Sequence, residues 1–402
     1  ASLIENGKYA RAVEYSVGGG IMAGSRLLTG SGYRLKVPAI DLAEVGAGGG
    51  SIVWLDPAGS LQVGPRSAGA TPGPVCYGKG GTDPTVTDAC AILGYLNPNH
   101  LVGGDLTLDT ELSKSVFADK IAGPTGLELE EAAYGAYEIA SANMIRAIKS
   151  VSSERGRDPR DYVLFAFGGN GPLFAGAMAA ILGMRRILVP PAPGVFSAFG
   201  LLCAEVEHHY SQTLRRVLQS ADPAELESGW NLLEEQADQQ LAIDGFLPDQ
   251  RRLVRSANMH YQGQIYELSV PVPDGPIEQG TLQVLQDAFG DEHERTYGHR
   301  AGPDEPVELV NIELVGQGLS QGSRVPEGLH AAQNTKVEVE SRQAYFGREH
   351  RWMEAPVIAR EALSTAHPGP CIIEEYDATC LVPPGGTASL DDYGNIVIEL
   401  SE

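Results

Sequence analysis

Between Leu129 and Val151 the apolar residues recur every three or four positions. Ala133, Ala136, Tyr137, Ala140, Met144, Ala147, Ile148 and Val151 form one stripe, which predicts a long helix. Its other side carries Asn143, Arg146, Lys149 and Ser150, which serve a solvated face and a cation-stabilised helix end, or the wall of a cleft. Tyr162–Phe167 then runs apolar without alternation, which predicts a strand covered on both faces in a parallel sheet. Gly168, Gly169 and Gly171 supply a sharp turn, Pro172 opens a second helix, and the run to Pro190 ends in a second apolar strand.

The remaining pattern is more β-like. Ala1–Lys8 reads as a strand entering a hairpin with Asn6-Gly7 as its turn, and Tyr33–Pro38 reads as an edge strand. A strand at the first residue suggests a chain cut from something longer. Pro223–Phe246 and Leu282–Tyr297 have helical spacing, and Arg255–Val272 alternates like a strand pair broken at Gln262-Gly263. After Pro306, short runs at Val307–Val315, Val337–Tyr345, Pro370–Glu375 and Ala388–Leu400 alternate with Pro and Gly. The expected organisation is an α/β unit over 1–205, an α+β connecting region over 206–305 and a largely β domain over 306–402.

Composition narrows the partners. The 402 residues are 43% hydrophobic and 20% charged, enough for a sizeable core. A net charge of −23 argues against a nucleic-acid surface, which needs clustered Lys and Arg, but leaves room for a nucleotide held by local donors. Five scattered cysteines without a CxxC pair suit a reducing cytoplasm. The longest apolar stretch, Leu173–Met184, is too short to span a bilayer, and no secretion signal is seen.

The candidate chemistry is concentrated in glycines. Gly168, Gly169, Asn170 and Gly171 bring backbone N–H groups to a helix start, where phosphate is favoured; the same turn also suits packing alone. A dinucleotide fingerprint is incomplete, because Phe174 stands where its third glycine belongs and no Asp or Glu closes the second strand. No Gly-Lys-Ser/Thr sequence occurs. A second dense region includes Gly46, Gly48, Gly49, Gly50 and Ser51, either a cradle for phosphate or a substrate oxyanion, or a strand-to-helix turn. Arg66 is an anion contact or a surface arginine. Cys76 and Asp88, near Asp83, offer a soft and a hard metal ligand, with core packing the alternative for the thiol. His208 and His209 are neighbours on a strand-like run and point to opposite faces, so one ion does not suit both.

The segments Val45-Gly-Ala-Gly-Gly-Gly-Ser-Ile52, Val63-Gly-Pro-Arg-Ser-Ala-Gly-Ala70, Pro72-Gly-Pro-Val-Cys-Tyr-Gly78 and Pro84-Thr-Val-Thr-Asp-Ala89 resemble the A component of the hydantoinase/oxoprolinase family. Phe167-Gly-Gly-Asn-Gly-Pro-Leu173, Pro191–Gly200, Tyr261-Gln-Gly-Gln264, Tyr297-Gly-His299, Gly369–Ile373 and Pro383–Gly385 extend the resemblance over the chain. It implies the second lobe of an actin-like ATPase (ribonuclease H-like) fold, with the Phe167–Pro172 turn on the adenosine side. Asn143, Arg146 and Lys149 would flank base and ribose.

The family's Asp-x-Gly-Gly-Thr phosphate loop and first lobe are expected to precede Ala1, and with them the catalytic Asp residues for Mg-ATP. Phe174 replaces a histidine common in relatives. The implied activity is ATP-dependent opening of a cyclic amide (hydantoin, 5-oxoproline or a lactam) through a phosphorylated substrate oxygen. The implied cofactors are ATP, Mg2+ and a further divalent ion, Zn2+ or Mn2+. The implied partners are a hydantoinase B-type subunit and the first lobe, in a hetero-oligomer. The ATP-binding subunit of an acetone- or acetophenone-type carboxylase, and a non-catalytic fragment or scaffold, are the alternatives.

Overall fold

In a computed structural model of the chain, the described residues are 1–12, 15–17, 33–35, 39–99, 101, 104–302, 305–319 and 340–401. The predicted strand–turn–helix–strand unit is present. Strand Leu164–Phe165 pairs in parallel with Arg186–Val189, and helix Gly171–Leu182 crosses between them. The ladder of the first strand is shorter than Tyr162–Phe167, and its environment differs from expectation. Ala166 is buried while Val163, Phe165 and Phe167 are exposed. An unbroken apolar run cannot show whether its second face is covered within the same chain.

Phe165 and Phe167 instead make an open aromatic cluster with helix Phe196–Cys203. Ring centroids lie 5.4 Å apart for Phe165–Phe196, 5.2 Å for Phe167–Phe196 and 6.0 Å for Phe196–Phe199. No residue of that helix is buried, and Leu201 and Leu202 are strongly exposed.

The long helix runs Leu129–Val151 as predicted and buries Ala133, Ala136, Tyr137 and Ala140. The Asn6-Gly7 hairpin also forms, with Ile4 opposite Tyr9 and both turn residues at positive φ, 52° and 74°. Strand Tyr33–Leu35 pairs with Tyr15–Val17; positions 36–38 of the expected edge strand, and 337–339 of the later run, lie outside the described residues.

The core does not divide at 306. Strands Val206–Val217, Val307–Gly318, Arg251–Tyr261 and Leu268–Pro271 form one antiparallel sheet in that order. Helices Pro223–Ile243 and Gln279–Tyr297 contribute Trp230, Leu233, Leu285 and Phe289 to the core beneath it. Residues 340–401 return to the first unit. Strand Ile396–Leu400 pairs antiparallel with Arg186–Val189, in a sheet ordered His367–Pro368, Gly386–Leu390, Ile396–Leu400, Arg186–Val189, Leu164–Phe165. Val357, Ile372, Cys380 and Ile398 share a core with Val53, Phe117, Tyr137 and Phe174. Alternation marks a strand, but backbone hydrogen bonding is nonspecific, so sequence does not say which sheet the strand joins.

Arg360 ties this return together. It forms two 2.7 Å contacts with Glu375 and donates to the carbonyls of Val189 (3.3 Å), Pro190 (2.8 Å) and Gly394 (2.7 Å). Burial pushes the Glu375 carboxyl up, against the opposing pull of the guanidinium. Arg360→Ala takes the guanidinium away from that buried carboxylate and from three backbone carbonyls. It is expected to cost about 3 kcal/mol, read as a fall in the urea midpoint with an unchanged slope.

Candidate nucleotide site

Two glycine segments separated by more than a hundred positions in sequence meet in space. Strand Ser51–Leu55 pairs with Leu61–Ser67, and Gly49 lies where the loop before it turns toward helix Val86–Ile92. Thr87 donates its N–H to the Gly49 carbonyl at 2.8 Å. A Cβ on Gly49 would collide with Asn170 Nδ2 and would come within 2.5 Å of Thr87 Oγ1. Only glycine lets Asn170 lie against this loop.

The loop has its own framework. Gly48 N–H donates to Ser51 Oγ at 3.0 Å, and Ser51 N–H returns to the Gly48 carbonyl at 3.0 Å. A Cβ on Gly50 would meet Ser67 Oγ at 2.8 Å, and the Gly46 carbonyl lies 3.3 Å from the Cβ position of Gly64. The turn is framed in the same way. Gly168, at φ 86°, donates to the Pro193 carbonyl at 2.7 Å, and Gly171 donates to the Gly168 carbonyl at 3.1 Å. Gly169 and Asn170 carry the N–H groups between them, immediately before helix Gly171–Leu182. A helix N-terminus beside small backbone turns favours an anionic ligand.

Asn143, expected on the polar face, is buried; its Nδ2 reaches the Val63 carbonyl at 3.3 Å, and Arg146 donates to its Oδ1. This places Asn143 beside the strand that backs the glycine loop. Arg146 and Lys149 are exposed on the next turns, and Arg66 is exposed on strand Leu61–Ser67. Phe174, where the resemblance implies a histidine, is buried and stacks on Tyr137 with centroids 4.7 Å apart, so this position serves packing.

The Cys76–Asp88 metal site is not supported. The buried Asp88 carboxylate accepts from Cys76 N (2.7 Å), Val75 N (3.2 Å), Thr85 N (2.8 Å), Thr85 Oγ1 (2.7 Å) and Ser113 Oγ (2.6 Å). Five donors occupy the lone pairs a metal would need. Burial, then the nearby Asp88 charge, pushes the Cys76 thiol up, away from the thiolate form that binds metals. Among the described residues no three His, Cys, Asp or Glu side chains are grouped to hold an ion. Asp83 instead pairs with Lys120 at 3.1 Å. His208 and His209 face separate acids, Asp244 and Glu207. The short-range cue was Thr85-Val-Thr-Asp88, a capping box in which Thr85 and Asp88 satisfy each other's backbone.

The thiols divide sharply. Cys76, Cys90, Cys371 and Cys380 are buried, and Cys203 is half-buried. Burial lifts the Cys371 thiol to about 12 and pushes Cys76, Cys90 and Cys380 up as well. At pH 8, one thiol per chain is expected to react promptly with a disulfide reagent, and all five after denaturation.

Two residues at the site were not found from sequence. Thr87 closes on Gly49, and Asp377, from the turn between strands Cys371–Glu374 and Thr379–Val382, accepts from Gly194 N at 2.7 Å. Among the described residues no helix is long and apolar enough to cross a membrane.

Residues 1–210 match the Hydantoinase/oxoprolinase family and residues 215–400 its C-terminal domain. An uncharacterized protein of Methanocaldococcus jannaschii is 40% identical over 99% of this chain and 56% of its own length. Caprolactamase subunit alpha of Pseudomonas jessenii is 37% identical over 89% of this chain and 52% of its own. The crystal structure of the ATP-dependent caprolactamase from that organism superposes with a TM-score of 0.82 at 36% identity, covering 92% of this chain and 54% of that one. The gamma subunit of acetophenone carboxylase from Aromatoleum aromaticum is 34% identical over 91% of this chain and 52% of its own length. The chain thus spans about half the length of these relatives. A mixed α/β fold whose two glycine segments meet in one place, matched along both halves, makes this chain a member of the hydantoinase/oxoprolinase family.

Proposed function

We propose that this chain is the ATP-handling part of an ATP-dependent cyclic amidohydrolase, and that residues 1–205 with the returning C-terminal strands form one lobe of an actin-like clamp. The observation that carries the reading is the approach of Asn170 to Gly49, which sets the glycine loop against one helix start. The 37% identity to a caprolactamase subunit favours a lactam or related cyclic amide as substrate.

In this reading Gly169 and Asn170 N–H groups receive the ribose–phosphate side of ATP, and Asn143 fixes the strand behind the loop. Phosphoryl transfer from ATP to the amide oxygen, with release of ADP, would remove amide resonance. Water could then add to that carbon, the ring C–N bond break as the amine leaves, and hydrolysis of the resulting acyl phosphate release phosphate. The contribution of this chain is positioning: rigid donors set before the reaction cost no reorganisation during it. Mg2+ accompanies ATP in such chemistry; its ligands, by the family resemblance, lie in a preceding lobe. Cys76 and Asp88 offer no place for a second ion, for the reasons of donor saturation above.

A partner is supported by the open aromatic face of Phe165, Phe167, Phe196 and Phe199, which adjoins the turn, and by relatives about twice as long. In this reading that face meets the first lobe the family resemblance implies, and a hydantoinase B-type subunit completes the substrate site. Buried, unpaired thiols fit a cytoplasmic setting. The carboxylase alternative rests on the 34% identity to an acetophenone carboxylase subunit.

The test is ADP release by the full-length protein with its second subunit. Release that depends on caprolactam, 5-oxoproline or hydantoin supports the reading. Dependence on bicarbonate plus a ketone establishes the carboxylase instead, and no ADP release with either set overturns both.

A further inference from the structure

We propose that Asp377, delivered by the last strand pairs of the chain, is a positioning residue for the glycine turn; this rests on the nucleotide reading and adds a distant region to that site. The turn carrying Asp377 is closed by Glu375 N–H on the Ala378 carbonyl at 2.9 Å. Its base is fixed by the Arg360–Glu375 pair, and Arg360 also holds the carbonyls of Val189 and Pro190. Those two residues lead directly into the segment that Asp377 meets. The turn and the segment are therefore fixed to one guanidinium.

Asp377 Oδ2 accepts the Gly194 N–H at 2.7 Å. The fit excludes any side chain at Gly194, where a Cβ would stand 2.8 Å from both Oδ2 and the carbonyl oxygen of Asp377. Two residues earlier Ala192 has φ 50° and ψ 55°, a left-handed conformation that a non-glycine residue keeps only under restraint. Pro193, between them, accepts the Gly168 N–H at 2.7 Å. A continuous line thus runs from Asp377 through Gly194 and Pro193 to the first residue of the turn. The Asp377 carbonyl oxygen also lies 3.6 Å from the Cβ position of Gly169. The N–H groups of Gly169 and Asn170 are aimed by how firmly Gly168 is held, so the carboxylate sets their direction without touching the ligand.

The experiment compares wild type, Asp377→Ala and Asp377→Asn in the full chain by two measurements. Hydrogen exchange without nucleotide is expected to quicken several-fold at 166–171 and 192–195 in Asp377→Ala, with 396–400 unchanged. Titration with a fluorescent ADP analogue is expected to show affinity reduced about tenfold in Asp377→Ala and mostly restored in Asp377→Asn, which keeps the acceptor; this corresponds to about 1.4 kcal/mol. Unchanged exchange at 166–171 in Asp377→Ala overturns the positioning role even if binding falls. Faster exchange with unaltered affinity overturns the link to the nucleotide. If wild type binds no analogue, the nucleotide reading fails and takes this inference with it, whereas binding by wild type with equal affinity in both variants sinks the inference alone.

Discussion

Asp88→Ala is expected to destabilise the fold by on the order of 4 kcal/mol, enough to unfold much of the population at moderate urea. The reason is the number of groups that lose their acceptor together. Three backbone N–H groups and two hydroxyls converge on one fully buried carboxylate. They join the 75–77 turn, the start of helix Val86–Ile92 and helix Thr110–Phe117. A hydrogen bond to a charged group contributes about 1.5–3 kcal/mol, and these five share one acceptor, so their losses do not add. Asp88→Asn keeps the shape but turns an acceptor into a donor facing donors, and is expected to recover less than half of the loss. Equilibrium urea unfolding of both variants checks this. A midpoint within error of wild type for Asp88→Ala would show that water replaces the carboxylate and that it is no structural hub. A cooperative gain of stability on adding Zn2+ or Mn2+ to wild type would return Asp88 to a metal-binding role.

Gly49→Ala is expected to weaken binding of a fluorescent ADP analogue by tenfold or more while changing unfolding free energy by only about 1 kcal/mol. The added methyl group collides with Asn170 Nδ2 and crowds Thr87 Oγ1. The amide of Asn170 is the free end of a flexible side chain, so the fold can yield by turning it aside. Thr87 is branched at Cβ and sits in the first turn of a helix, so it yields less. The strain is therefore relieved at Asn170, on the side of the loop proposed to meet the nucleotide. Titration of the variant beside a thermal melt separates the two effects. Equal affinity in Gly49→Ala and wild type would remove the glycine loop from the site.

Much of the local structure was legible because it depends on nearby residues. The stripe from Ala133 to Val151 gave the helix at its observed bounds, and Asn6-Gly7 gave its hairpin. The turn at Gly168–Gly171 and its two flanking strands followed from composition and the position of Pro172. The glycines of both segments were identifiable as unusual because a glycine-dense ordered loop implies close approach of other atoms. Which atoms approach was not legible. Asn170 against Gly49, and Asp377 against Gly194, join positions 121 and 183 residues apart in sequence.

The same limit explains the errors. Cys76 and Asp88 form a plausible ligand pair by residue type, but Ser113 and the backbone of Val75 claim the carboxylate through tertiary approach. Val163, Phe165 and Phe167 are apolar yet exposed, because no element among the described residues covers them. The strands near the C-terminus were visible, but not that Ile396–Leu400 would pair with Arg186–Val189.

By itself, then, the sequence determined the periodic elements, their turns and the family signatures, since these rest on side-chain spacing and backbone freedom within a few residues. The tertiary structure alone decided that two glycine segments meet, that Asp88 is a hub, and that the final strands complete the first unit. Those outcomes depend on which surfaces exclude water together, and on buried polar groups finding partners far along the chain.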